Sequence, residues 1–205
     1  VPDSAPQANV ENVDWAYSIL LEPHHQNQLF HLGKILQFST TQRDIRLHDD
    51  GSLASHRPIT KRLSYRIAAS APGQLHQAVS LAQYRPLPTG NPRTRALIEQ
   101  WQAEGLHGKA LIDRALNFFA NSFRYSLTPP SLGNEQIDDF LFNTRVGFCG
   151  HFASSFAVML RMANLPTRIV SGYMGGTYNP VEDYLRVQQS DAHAWVEVFI
   201  DNRWQ

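Results

Sequence analysis

Apolar residues in the second half of the chain recur with two different periods. From Phe152 to Ala163 they fall at three- and four-residue steps (Phe152, Ala153, Phe156, Ala157, Met159, Leu160, Ala163), the pattern of an amphipathic helix with one apolar stripe. Gly147-Phe148 ahead of this run and Asn164 and Pro166 behind it mark its two ends. Over residues 192–200 the period is two: Ala192, Ala194, Val196, Val198 and Ile200 fall on one face, His193, Trp195 and Phe199 on the other. A strand apolar on one face and partly aromatic on the other is expected inside a sheet, with residues 203–205 as its partner on the far edge. Residues 167–174 and 184–189 read as further strands of an antiparallel meander, separated by a turn at Gly175-Gly176-Thr177. That glycine pair is no phosphate loop, because no helix and no Gly-Lys-Ser/Thr follows.

Two more helices precede this region. Asn91-Pro92 predicts a helix start, a cap followed by proline at the first helical position, with Leu97, Ile98 and Trp101 inward and Gly105 at the end. Residues 107–122 predict the second, turning Ala110, Leu111, Ala115, Leu116, Phe118 and Phe119 inward. Residues 123–127 are extended, Pro129-Pro130 break the chain, and residues 135–142 make a helical turn or two. The first 70 residues read differently. Strands at 14–21, 34–40 and 62–69, with a hairpin signal at Asp49-Asp50-Gly51-Ser52, predict a small antiparallel sandwich or half-barrel. Residues 71–92 carry Pro72, Pro86, Pro88, Gly90 and Pro92 and form the connector, with a short helix in LHQAVSLAQY. The expected division is a β-rich N-terminal domain with connector over 1–85 and an α+β core over 86–205.

Composition narrows the classes. With 205 residues, 42% hydrophobic and 18% charged, the chain is an ordinary globular one with ample volume for a core. Eighteen basic and eighteen acidic residues cancel, so nothing points to nucleic acid or an anionic membrane face. No run of eighteen apolar residues occurs, so this chain does not itself span a bilayer. The opening VPDSAPQANV has neither Met nor signal peptide and reads as a linker, so a longer parent protein is expected.

Only one cysteine is present, and its position is informative. Cys149 stands at the first turn of the 152–163 helix, where free backbone N–H groups and the positive end of the dipole favour a thiolate nucleophile. The later strand supplies a proton acceptor, His193, flanked by the small residues Ala192 and Ala194. Cysteine at a helix start with histidine on a later strand is the papain-like arrangement, in which the imidazole takes the thiol proton. His151 is the competing base, but on a helix it lies about 200° around the axis from Cys149. Asp191 and Asp201 are the carboxylates nearest His193 in sequence; one is poorly aligned along the same strand, the other falls in a turn. The backbone N–H of Cys149 is one oxyanion donor, and the second stays unassigned. Trp101, Trp195, Trp204, Tyr173, Tyr178 and Tyr184 are candidates for lining a cleft, Trp195 first, although such residues are more often core. The adjacent His24-His25 reads as loop, since neighbouring strand residues point to opposite faces and would not ligate together. No Cys/His cluster calls for a metal, and no cofactor is expected.

GFCGHFASSFAVMLRMANLPTRIVSGYMGG followed by SDAHAWVEVFI resembles the transglutaminase-like superfamily, most closely its bacterial TgpA type. The stretches YRPLP, NPRTRALIEQW, FRYSLTPP and DDFLF are similar to it as well, so the resemblance covers about residues 83–205. It implies a papain-like transglutaminase core behind the β-rich domain, truncated at its C-terminus. Cys149 would be the nucleophile and His193 the base, with the triad aspartate just beyond Gln205 in a context that Trp204 begins. Gly150 stands where many relatives carry Glu. The implied reaction is protein-glutamine gamma-glutamyl transfer: a Cys149 thioester with a glutamine carboxamide, release of ammonia, and transfer to an amine. The partners would be a glutamine-containing protein or peptide and an amine acceptor. The implied setting is the periplasmic region of a multi-pass inner-membrane protein of the cell envelope. Two alternatives use the same residues: a papain-like cysteine protease or peptide amidase, and a non-catalytic peptide-binding or assembly domain.

Overall fold

The computed structural model describes residues 13–71 and 81–205. The linker read at the N-terminus and most of the helix expected in the connector lie outside them. The chain divides into two compact units, Val1–Leu75 and His76–Gln205; the pattern of prolines had suggested a boundary at 85.

The first unit is two small antiparallel sheets. Strands β1 (Trp15–Leu21), β2 (Gln28–Leu29), β3 (Lys34–Thr40), β4 (Ile45–Leu47), β5 (Leu53–Ser55) and β6 (Leu63–Ser70) pair in the orders β1-β6-β3 and β2-β5-β4. Alternation explains the layering: Leu63, Tyr65, Ile67 and Ala69 of β6 all point inward and are at most 6% exposed, joining Leu29, Ile35, Ile45 and Leu53. The Asp49-Asp50-Gly51-Ser52 turn closes β4 onto β5, with Gly51 at φ 86°. His24 and His25 sit in the loop between β1 and β2, where His24 Nδ1 accepts from the Gln26 N–H.

The second unit begins with a 3₁₀ turn, Leu81–Tyr84, and the helices α1 (Pro92–Ala103) and α2 (Gly108–Ser122). Next come β7 (Arg124–Tyr125), α3 (Gln136–Asp139), a π-turn over Phe140–Thr144, β8 (Val146–Gly147) and α4 (Cys149–Met162). Strands β9 (Thr167–Tyr173), β10 (Thr177–Asn179), β11 (Tyr184–Arg186), β12 (Ala192–Ile200) and β13 (Arg203–Trp204) complete it. Its core gathers Ile98, Trp101, Leu111, Ala115, Phe140, Leu141, Met159, Leu160 and Val198. The expected inward face of α4 is the observed one. On β12, Val196, Val198 and Ile200 go to this core while Glu197 and Phe199 go to the other face, as the two-residue period requires.

Several expectations change; on α2, Leu116 is 50% exposed and Ala110 is exposed rather than inward. The meander is not continuous: β11 pairs with β10 in a separate hairpin, and β9 pairs directly with β12 across that excursion. Alternation alone does not say which neighbour a strand takes. Asp191 is not on the histidine's strand but ends a 3₁₀ turn, Gln189–Asp191, ahead of β12. Asn91, finally, does not cap its own helix. It is left-handed, at φ 55°, and its Oδ1 accepts from the N–H groups of Ile137 and Asp138, capping α3. The cap of α1 comes back from the buried Asp138, whose carboxylate accepts from the Arg93 N–H (2.8 Å), the Thr94 N–H (2.8 Å) and the Thr94 hydroxyl (2.6 Å). Each helix start is thus capped by a residue at the start of the other, which fixes the approach to the cysteine stretch. Asp138→Ala is therefore expected to cost about 2–3 kcal/mol, since it strips three charge-assisted bonds, two of them from the buried Thr94. Urea denaturation measures this, and a loss under about 0.5 kcal/mol would show that the reciprocal cap carries little.

Candidate active site at the start of α4

The backbone ahead of Cys149 is held on several sides. The π-turn ends at Arg145, in the left-handed region at φ 52°. The chain then runs beside β7 as a short parallel ladder, with Arg124 N–H donating to Arg145 C=O (2.9 Å) and Ser126 N–H to Gly147 C=O (2.8 Å). Two-residue strands carry no readable periodicity, so nothing in the sequence announced this ladder. Phe148 is extended (φ −106°, ψ −179°), and α4 starts at the next residue. The Phe148 C=O accepts from His151 N–H (2.9 Å) and Phe152 N–H (3.3 Å). Among the described residues the N–H groups of Cys149 and Gly150 have no acceptor, as the first turn of a helix dictates. Two such donors beside a thiol are the arrangement that holds a developing oxyanion. Cys149 itself is half-buried.

His151 is not the helix-surface histidine that the helical angle implies. Its ring packs edge-to-face on Phe148 (centroids 4.3 Å) and lies 5.6 Å from Phe140, and its Nδ1 accepts from the Phe148 N–H at 3.3 Å. Beneath it is Gly147. A Cβ there would come within 2.7–2.8 Å of His151 Cβ and Cγ and of Phe140 Cε2. Gly147 is therefore glycine for space rather than for turn geometry. A glycine directly before a bulky pair was the available signal.

His193 is the second residue of β12, half-buried, opposite Gly172 of β9. It shares its face with Trp195, whose ring covers Gly172 so closely that a Cβ there would lie 3.1 Å from it. The turn at Asn164–Pro166 reverses the chain and α4 packs on both β9 and β12. The lengths match: 14 helical residues rise about 21 Å, and the seven of β9 span about the same. With Thr167 paired to Val198 at one end, the start of α4 and the start of β12 lie toward the same edge of the sheet. The elements bearing Cys149 and His193 converge there, but no hydrogen bond joins thiol to imidazole among the described residues.

The nearby carboxylates are committed elsewhere. Asp191 accepts from the Gln188 N–H (2.8 Å), capping its own turn. Asp201 and Asn202, at φ 52° and 59°, form the tight hairpin turn into β13, which pairs with residues 199–200 as the sequence anticipated. Of the candidate cleft aromatics, Trp101 is core at 3% exposure, and Trp204 meets Tyr84 and Phe199 edge-to-face beneath the Arg168 guanidinium. Tyr178 and Tyr184 stand exposed on the β10–β11 hairpin. Arg161, whose guanidinium burial holds below its ordinary value, ties the far end of α4 to Thr167 C=O and Pro86 C=O.

The sequence matches a known family model, the transglutaminase-like superfamily, over residues 95–205. The chain belongs to that superfamily. A protein-glutamine gamma-glutamyltransferase of Pseudomonas aeruginosa is 41% identical over 187 residues, 88% of this chain and 27% of the relative. Crystal structures of the periplasmic domain of TgpA from Pseudomonas aeruginosa, free and bound to ethylmercury, are 38% identical. They align to 93% of this chain and to 67% and 69% of theirs, with TM-scores of 0.82 and 0.81. The chain thus spans about a quarter of its curated transferase relative, and its α+β core with a strand-rich N-terminal unit is the fold of that periplasmic domain. No helix among the described residues is long and apolar enough to cross a membrane. Within this superfamily core, Gly147→Ala is expected to destabilise by about 1–3 kcal/mol, the usual cost of forcing a methyl into a filled site. A thermal melt reads the change, and an unshifted melting temperature would mean that the His151 and Phe140 rings yield freely.

Proposed function

We propose that this chain is the acyl-transfer core of a protein-glutamine gamma-glutamyltransferase. The observation that carries the reading is Cys149 as first residue of a buried helix within the matched superfamily region, with free N–H groups beside it. Cys149 is the nucleophile and His193 the base. The thiol gives its proton to the imidazole and attacks the carboxamide carbon of a glutamine side chain. The tetrahedral oxyanion sits against the N–H groups at the start of α4. The C–N bond breaks, and the leaving ammonia takes the proton from His193, leaving a thioester. An acceptor amine attacks that thioester and passes a proton to His193. The C–S bond breaks, and an isopeptide bond forms. The partners are a glutamine-containing protein or peptide and a primary amine. The likeness to a periplasmic domain supports a periplasmic setting, on a parent protein held in the inner membrane.

Neither Asp191, which accepts from the Gln188 N–H, nor Asp201, in the hairpin turn, is hydrogen-bonded to His193 among the described residues.

Cys149→Ala is expected to abolish incorporation of a fluorescent primary amine into a glutamine-rich protein, with the fold intact by circular dichroism. Incorporation above a few per cent of wild type by this variant would remove the nucleophile assignment. His193→Ala should lower the rate by about 10²–10⁴-fold, the range for loss of a general base. Ammonia release without amine incorporation by the wild type would mark a hydrolase instead of a transferase.

A further inference from the structure

We propose that His151 is a positioning residue for this reaction: its imidazole locks the peptide in front of Cys149 and so aims the N–H of Cys149. The inference rests on the acyl-transfer reading and adds a residue outside the thiol–imidazole pair. The Cys149 N–H belongs to the peptide that joins it to Phe148, so its direction is set by the backbone torsions of Phe148. His151 grips both polar groups of Phe148. Its own N–H donates to the Phe148 C=O at 2.9 Å, and its Nδ1 accepts from the Phe148 N–H at 3.3 Å. A rotation about either torsion would break one of the two.

The ring has little freedom to let go. Phe148 meets it edge-to-face, Phe140 lies 5.6 Å away, and Gly147 leaves no room for even a methyl on the third side. Phe148 is itself 37% exposed, so the ring contact with His151 is a large part of what holds it. The commitment of Nδ1 to Phe148 also explains why His151, though closer in sequence, leaves the role of base to His193. An acceptor at the Nδ1 position is the requirement. Asparagine meets it, because its Oδ1 occupies the place of Nδ1. Glutamine meets it as well, since at the third position of a helix its amide oxygen reaches back to the N–H of the residue before the helix; leucine and methionine do not.

The test compares His151→Asn with His151→Leu and His151→Met in the full-length protein. Two readouts are used: steady-state amine incorporation and hydrogen exchange at the Phe148 amide. His151→Asn is expected to keep kcat within about threefold of wild type, while the Leu and Met variants lose about tenfold in kcat with KM little changed, the scale of one hydrogen bond. The Phe148 amide should stay protected in wild type and Asn variant and exchange at least about tenfold faster in the other two. Equal kcat losses in Asn and Met variants of equal melting temperature would overturn the proposal, as would equal Phe148 exchange in wild type and His151→Met. The exchange arm needs no turnover. A wild type that incorporates no amine would thus defeat the transferase reading and still leave the grip of His151 on Phe148 decided.

Discussion

Burial of α4 on nearly every side is the constraint on which the second unit depends. Met159 and Leu160 have no exposed surface, and Ala153, Ser155, Ala157 and Val158 are buried around them. The helix packs against α1, α2, α3, β9 and β12. A buried Leu or Met contributes about 1.5–3 kcal/mol, so a few such residues fix the axis firmly. A helix fixed along its length has a fixed beginning, and that beginning is Cys149. The place of the thiol is thus inherited from apolar packing ten residues further on, not from contacts of its own.

What the core does not fix is the peptide entering the helix. The structure spends several small devices there: the left-handed Arg145 that ends the π-turn, the ladder with β7, the space left by Gly147 and the His151 ring. Each is worth little alone. Together they specify the orientation of N–H groups that an oxyanion would meet, which is where catalysis by acyl transfer gains most. The reciprocal caps of Asn91 and Asp138 serve the same end one layer out, since they join α1 to the segment that leads into the π-turn.

Much of this was legible in the sequence. The periods of 3.6 and 2 located α4 and β12, and Asn164 with Pro166 marked the reversal that brings α4 back along β9. The place of the lone thiol at a helix start was legible, and so was the strand-rich N-terminal unit through its alternation. What escaped reading has a common cause: it depends on partners distant in the chain. Asn91 looks like a cap for the helix it precedes, yet the donors it satisfies lie 46 and 47 residues on. The β10–β11 hairpin has the same alternation as the sheet beside it, and pairing choice leaves no trace in a single strand's pattern. His151 looked idle because helical angle describes where a side chain starts, not which ring or amide it folds back to meet.

The account stands on a covalent step at one sulfur. Intact-mass spectrometry of the protein, acid-quenched during turnover of a short glutamine peptide without added amine, tests it most directly. The account predicts a species heavier by the peptide less one ammonia, mapped by digestion to Cys149 and discharged when a primary amine is added. Turnover of the peptide with no such adduct, or with the adduct on another residue, would contradict it.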